Sequence, residues 1–149
     1  MKITDQGQFS VQAQTERVIQ LMTDPDFLGR TLPDSKGYRV TSPTSVVADM
    51  KVGVSHIKGV MPTTLTIQPV HTGEPVTIRV VAQGLGSRVD MELAFNINGV
   101  NGSTELDWSS TATVSGVLAS VGSGLLRPMA KRNFDAIVGA IRDAIEAAS

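Results

Sequence analysis

Residues 51–61 read KVGVSHIKGVM. Val52 and Val54 alternate with Lys51 and Gly53, the pattern breaks at Ser55-His56, and a second alternating run begins at Ile57. Alternation of apolar and polar residues is the period of a half-buried strand. An interruption of two residues has the length of a tight hairpin loop. His56 is one of only two histidines in the chain, so its role bears on the whole reading. A base or a metal ligand would point to an enzyme. The break in period at Ser55-His56 instead puts the imidazole at the rim of a sheet, in water. His71, in PVHTGEP, sits in the same kind of turn context.

The two-residue period continues on both sides of this hairpin. Strands are expected at about 37–42, 45–54, 57–69, 75–83, 86–97 and 103–115, separated by Ser-Pro, Ser-His, Thr-Gly-Glu-Pro, Gly-Leu-Gly and Asn-Gly breaks. Links this short join antiparallel neighbours. FNINGVNGSTEL holds two Asn-Gly pairs, a strong hairpin signal. Residues 2–12 also read as a strand, with Ile3, Gln8 and Ser10 set against Phe9 and Val11.

Between that first strand and the long run the period is helical. In QTERVIQLM, residues Val18, Ile19, Leu21 and Met22 share a face. Asp24-Pro25 ends this helix, because the residue before proline avoids the helical region. Asp24 then caps a second helix, DPDFLGRTL, with Pro25 in its first turn and Pro33 closing it. After Ser115-Gly116 the chain turns helical again. Leu118, Val121, Leu125, Met129, Ile137, Ile141 and Ile145 form an apolar stripe. Pro128 and Gly122-Ser123-Gly124 leave two arrangements open: one rod from 117 to 148, or a short helix followed by a longer one entered near Gly124.

One domain fits 149 residues. The fold class is α+β: a curved antiparallel sheet of about seven strands, two short helices after strand 1, and a long C-terminal helix covering the apolar face of the sheet. A bent sheet wrapped on one helix encloses a space, which is a ligand cavity wherever side chains do not fill it.

Period two assigns side chains to that space. The inward sets are Val46, Ala48, Met50, Val52 and Val54; Met61, Leu65 and Ile67; Val76, Ile78 and Val80; Val89, Met91, Leu93, Phe95 and Ile97; and Leu106, Trp108, Ser110, Ala112 and Val114. Taken singly, the methionines read first as core fillers, although their flexibility also suits a variable apolar partner. Trp108 reads as a core anchor before a ligand wall. Ser110, and after it Gln83 or Thr63, are the polar groups expected to reach the inside. Asp5, Asp49, Asp90, Glu92, Glu105 and Asp107 are placed on the solvated face.

Much chemistry is excluded. The chain has no cysteine, hence no disulfide, thiolate metal site or cysteine nucleophile. It has no HExxH, GxSxG or Walker sequence, and Gly84-Leu85-Gly86 leads into a strand rather than a helix. A net charge of −1 and six aromatic residues argue against nucleic acid. The polar, alternating N-terminus lacks a signal-peptide apolar core, and no window resembles a membrane span, so a cytoplasmic protein is expected.

KITDQGQFSV, RVIQLMTDPDFLGRTLPDS and ADMKVGVSHIKGVM together resemble the CoxG family, named for a subunit of carbon monoxide dehydrogenase, within the START-like (SRPBCC) helix-grip superfamily. The resemblance runs over nearly the whole chain. Asp24-Pro25 followed by Leu32-Pro33, and Lys51-Val52-Gly53-Val54 followed by Lys58-Gly59, carry most of it. It implies a single START-like domain over 1–149 and a non-catalytic role: binding a quinone or lipid and helping a molybdenum-containing carbon monoxide dehydrogenase-type oxidoreductase, with peripheral contact at the inner face of the cell membrane. No cofactor is expected beyond such a bound quinone or lipid, and no metal. The expected cavity lining is Met50, Val52, Leu65, Met91, Leu93, Phe95, Trp108, Ser110, Leu125 and Met129, with Phe27, Leu28 and Leu32 as a lid at the entrance. Two alternatives stand beside this reading: an enzyme of the cyclase or hydrolase kind, which needs a titratable group inside, and a protein–protein adaptor whose cavity is filled.

Overall fold

The structure is a computed structural model and describes residues 1–32, 35–68 and 74–148. Within them lie β1 (Lys2–Val11), α1 (Thr15–Met22), α2 (Pro25–Thr31), β2 (Ser35–Ser42), β3 (Ser45–Val54), β4 (Ile57–Ile67), β5 (Val76–Gly84), β6 (Ser87–Val100), β7 (Ser103–Gly116), a 3-10 turn (Leu118–Val121) and α3 (Ser123–Ala148). The strands form one antiparallel sheet in the order β1-β7-β6-β5-β4-β3-β2. Strand 1 therefore returns to the edge beside the last strand, and the two short helices form the crossover. The closing of α2 by Pro33 and the turn context of His71 lie outside the described residues.

Ser55-His56 is a hairpin tip: Val54 pairs with Ile57, Ser55 takes a φ of +56°, and His56 is exposed. Of the two Asn-Gly pairs only Asn101-Gly102 turns the chain, between paired Val100 and Ser103. Asn98-Gly99 lies in β6, which runs three residues beyond the expected end at 97. The bare Cα of Gly99 lets the Thr15 hydroxyl approach, since a Cβ there would stand 2.7 Å from Thr15 Oγ1.

Helix α2 starts as the sequence requires. Asp24 is its N-cap, and its carboxylate accepts the Asp26 N–H at 3.0 Å. In α1, Val18, Leu21 and Met22 are buried, whereas Ile19 is 37% exposed and lies off the core face where it was expected.

The turn from β7 into α3 takes the second of the two open arrangements. Gly116 and Gly122 both adopt φ near +85°, and the 3-10 turn lies between them. Ser87 Oγ accepts the Leu118 N–H at 2.8 Å, which ties this turn to β6. Helix α3 then runs unbroken through Pro128 for 26 residues, about 39 Å. The expected stripe is corrected at its first residue in α3, because steps of four and eight drift around a helix: the twenty residues from Leu125 to Ile145 leave the two about 200° apart. The buried residues are Leu126, Phe134, Ile141 and Ile145. At about 100° per residue, Leu125 falls nearly opposite their common direction. It is 51% exposed, so it does not line the interior.

One hydrophobic cluster joins α1, α2 and most of α3 to the sheet through Val18, Met22, Phe27, Leu65, Ile78, Phe95, Leu106, Trp108, Phe134 and Ile145, among others. A second, at the far end under the 3-10 turn, holds Ile3, Val54, Ile57, Met61, Val114, Leu118 and Leu126.

Candidate functional site

The concave face of the sheet carries the residues that periodicity assigned to it. Register puts Phe95 beside Trp108, Leu93 beside Ser110, Met91 beside Ala112 and Val46 beside Leu65. Leu65, Leu93, Phe95 and Trp108 are buried in the main cluster, with Met91 and Leu32 partly buried against it. Val52 and Met129 pack against the second cluster, and Met50 is half-buried between β2 and β4. Phe27 and Leu28 are 1% and 3% exposed, which makes them core residues under α2. Gln83 is exposed and points outward, whereas Thr63 faces in and donates its hydroxyl to the Met61 carbonyl at 3.0 Å.

Trp108 is the centre of this face. Its ring meets Phe134 of α3 edge-on, with centroids 6.5 Å apart and planes at 62°. Its other side lies on β1, where Gly7 is its cross-strand partner. A Cβ on Gly7 would stand 2.7 Å from the indole Nε1 and 2.8 Å from Cε2 and Cζ2, so the indole occupies the space a side chain there would take.

The largest correction concerns β1. Ile3 and Asp5 share the inner face with Phe9 and Val11, because all four carry odd numbers on one unbroken strand. Asp5, placed on the solvated face by sequence, is paired with inward Ser110 and its side chain is 21% exposed. Its Oδ1 accepts the Gln6 N–H at 2.8 Å. Its Oδ2 and the Ser110 Oγ are buried and have no hydrogen-bond partner among the described residues. The other carboxylates do face out: Gln8 Nε2 donates to both Glu105 and Asp107 at 2.6 Å, and Arg88 holds Asp90 at 2.7 Å. The strand's own parity, read strictly from Ile3, was the signal for Asp5.

Between α2 and the last turns of α3 is a groove of about 410 Å³, lined by Phe27, Arg30, Thr31, Ala140, Ala144, Ala147 and Ala148. Phe27 and Ala144 belong at once to this groove and to the main core cluster. The Arg30 guanidinium lies 5.6 Å above the Phe27 ring and pairs with Asp26 at 3.2 Å. Tyr38 of β2 donates its hydroxyl to the same Asp26 at 2.9 Å, and that bond raises the phenol pKa above its ordinary value. Sequence reasoning placed an entrance at the short helices but missed Arg30 and the alanines. A second concavity, about 420 Å³, lies at the β5–β6 turn and is walled mainly by Gly84, Gly86, Gly116 and Arg88 rather than by the core.

Among the described residues no group of three or more potential ligand side chains is placed to hold a metal, and no helix is long and apolar enough to cross a membrane.

Solved structures of similar fold span essentially the whole chain. A conserved protein from Geobacillus kaustophilus superposes with a TM-score of 0.81 at 20% identity, covering 96% of this chain and 95% of that one. A START superfamily protein from Mycobacterium smegmatis gives 0.70 at 16% identity, covering 98% and 99%. The Zhui aromatase/cyclase from a Streptomyces species gives 0.68 at 13% identity, covering 98% and 94%. At these identities the likeness establishes a START-like fold and nothing of activity. No curated protein matches the sequence. The family model for the carbon monoxide dehydrogenase CoxG subunit matches residues 7–146, and the chain belongs to that family.

Proposed function

We propose that the protein binds a hydrophobic small molecule, a quinone or a lipid, between its concave sheet and α3, without transforming it. The groove between α2 and α3 is the observation that carries this reading. Phe27 and four alanines make most of its lining beside Arg30 and Thr31, its floor is shared with the core through Phe27 and Ala144, and its volume lies within the roughly 300–1,000 Å³ of small-molecule sites. Phe27, Leu28 and Leu32 are the proposed lid: they hold α2 against the core, and a shift of α2 against α3 widens the groove. Burying about 300 Å² of apolar ligand there contributes about 7 kcal/mol before ordering costs. Membership of the CoxG family supports a partner of the carbon monoxide dehydrogenase type, to which the loaded protein would bring its ligand at a membrane surface.

Native mass spectrometry of the protein as purified tests the proposal. A co-purified lipid or quinone, or stoichiometric uptake of added menadione, is the expected result. A bare chain that takes up neither would refute it. One observation favours a second reading, a cyclase-like enzyme such as the aromatase/cyclase neighbour: the carboxylate of Asp5 on the inner face. Under that reading a bound aromatic polyketide is recovered chemically altered, with turnover lost in Asp5→Asn. Under the binding reading it is recovered unchanged.

A further inference from the structure

We propose that Asp5 and Ser110 form the polar end of the ligand site and select an apolar molecule that carries a hydroxyl group. This rests on the apolar-ligand reading above and specifies the chemistry of its ligand.

The two residues are direct cross-strand partners on the inner face, so their Cβ atoms lie about 4.5–5.5 Å apart. Ser110 is 2% exposed, and its Oγ has no partner among the described residues. Asp5 Oδ1 is fixed by the Gln6 N–H, which leaves Oδ2 as the free acceptor, also buried and without a hydrogen bond. The nearest cation, Lys131 Nζ of α3, stands 3.9 Å from Oδ2, beyond hydrogen-bond length. Lys131 is 66% exposed and divides its charge with Asp135 at 3.6 Å, so it covers the carboxylate from the solvent side without satisfying it. Trp108 on one side, with Ala112 and its partner Met91 on the other, continue this spot as an apolar surface.

Unpaired buried polar groups cost about 1–3 kcal/mol each, so the pair favours whatever satisfies both. The carboxylate oxygen can only accept a hydrogen bond from a neutral ligand. The serine hydroxyl can donate or accept. A ligand hydroxyl donates to Asp5 Oδ2 and accepts from Ser110, filling both roles with one oxygen. A carbonyl accepts from Ser110 but leaves Oδ2 unpaired and facing another lone pair. An ether fails in the same way. The site therefore prefers an alcohol, a phenol or a hydroquinone over the corresponding ketone, ether or quinone.

The test uses 1-naphthol and 1-methoxynaphthalene, which share a ring system and differ in the donor proton, with binding measured by calorimetry on the full chain. The expected result is about ten- to hundredfold tighter binding of the naphthol, the range for a hydrogen bond to a charged group. In Ser110→Ala and, separately, in Asp5→Asn the preference shrinks toward unity while the ether binds as before. Having two variants keeps the test open if one fails to fold, which Trp108 emission reports. Equal binding of both probes to the parent protein overturns the hydroxyl site and leaves the apolar-ligand reading standing. No binding of either overturns both. Menadione, oxidised or held reduced by dithionite, and farnesol against its methyl ether then distinguish a hydroquinone from an isoprenoid alcohol as the source of the hydroxyl. A Ser110-dependent preference in either pair supports the proposal, and its absence from both overturns it.

Discussion

Replacing Gly7 by alanine tests the contact on which the concave face is built. The glycine does not lie in the left-handed region, so alanine fits its backbone and the question is one of space. The new Cβ would stand 2.7–2.8 Å from three atoms of the Trp108 ring. Ordinary carbon contacts lie near 3.5–4.0 Å, so the indole must withdraw by about 0.7–1.3 Å. Phe134 meets the ring from the α3 side at a centroid distance of 6.5 Å, and the displacement is passed to the helix. Overpacking of this kind costs about 1–3 kcal/mol. Removing a glycine from a strand returns about 0.5–1 kcal/mol. The balance is a loss of roughly 0.5–2 kcal/mol, or a Tm lower by about 2–4 °C per kcal/mol for a chain of this size. Urea unfolding can be followed through Trp108, the only tryptophan, whose emission also reports its displacement in the folded state. Phe134→Leu, which makes room on the other side, should recover part of the loss in the double variant. A Gly7→Ala protein as stable as its parent, with unchanged emission, would refute the reasoning.

Adjacent residues of α3 should behave oppositely. Leu126→Ala removes a 1% exposed side chain and is expected to cost about 2–5 kcal/mol in urea unfolding, whereas Leu125→Ala, at a half-exposed position, should stay within about 0.5 kcal/mol. Tyr38 is the only tyrosine, so alkaline titration at 295 nm reads it directly. Its midpoint should lie above the ordinary tyrosine value and fall back in Asp26→Asn; the stability from this bond is full below that ordinary value and disappears as pH rises through the raised one. The Arg88 hydrogen bond holds the Asp90 pKa below its usual value, so the contribution of the pair is present above the ordinary carboxylate range and is lost as pH falls through the lowered value. The unfolding curves of the parent and Arg88→Met should therefore converge in acid.

The sheet was legible because antiparallel strands with one buried face repeat every two residues, and two-residue turns such as Ser55-His56 mark the pairings. Helix α2 was legible because Asp24-Pro25 is both a stop and a cap. What escaped the sequence depended on drift of phase along a helix or on a partner strand. Leu125 and Leu126 are both apolar, and steps of four from Leu125 to Ile145 hide the drift that leaves only Leu126 on the face of Phe134, Ile141 and Ile145. On β1, Gln6, Gly7 and Gln8 give no apolar alternation through the middle of the strand, so the face of Asp5 had to be fixed from its ends. Gly7 had no visible role until pairing set Trp108 upon it. The Arg30 and alanine groove joins elements more than a hundred residues apart, which no local pattern encodes.

The central claim is that the inner face around Trp108 receives an apolar molecule. Titrating the protein with menadione while following Trp108 emission addresses it most directly, because this buried indole is the chain's only tryptophan. The account predicts saturable quenching that reaches a plateau at one ligand per chain. Quenching that rises without limit, in line with free N-acetyltryptophanamide under the same conditions, would contradict it.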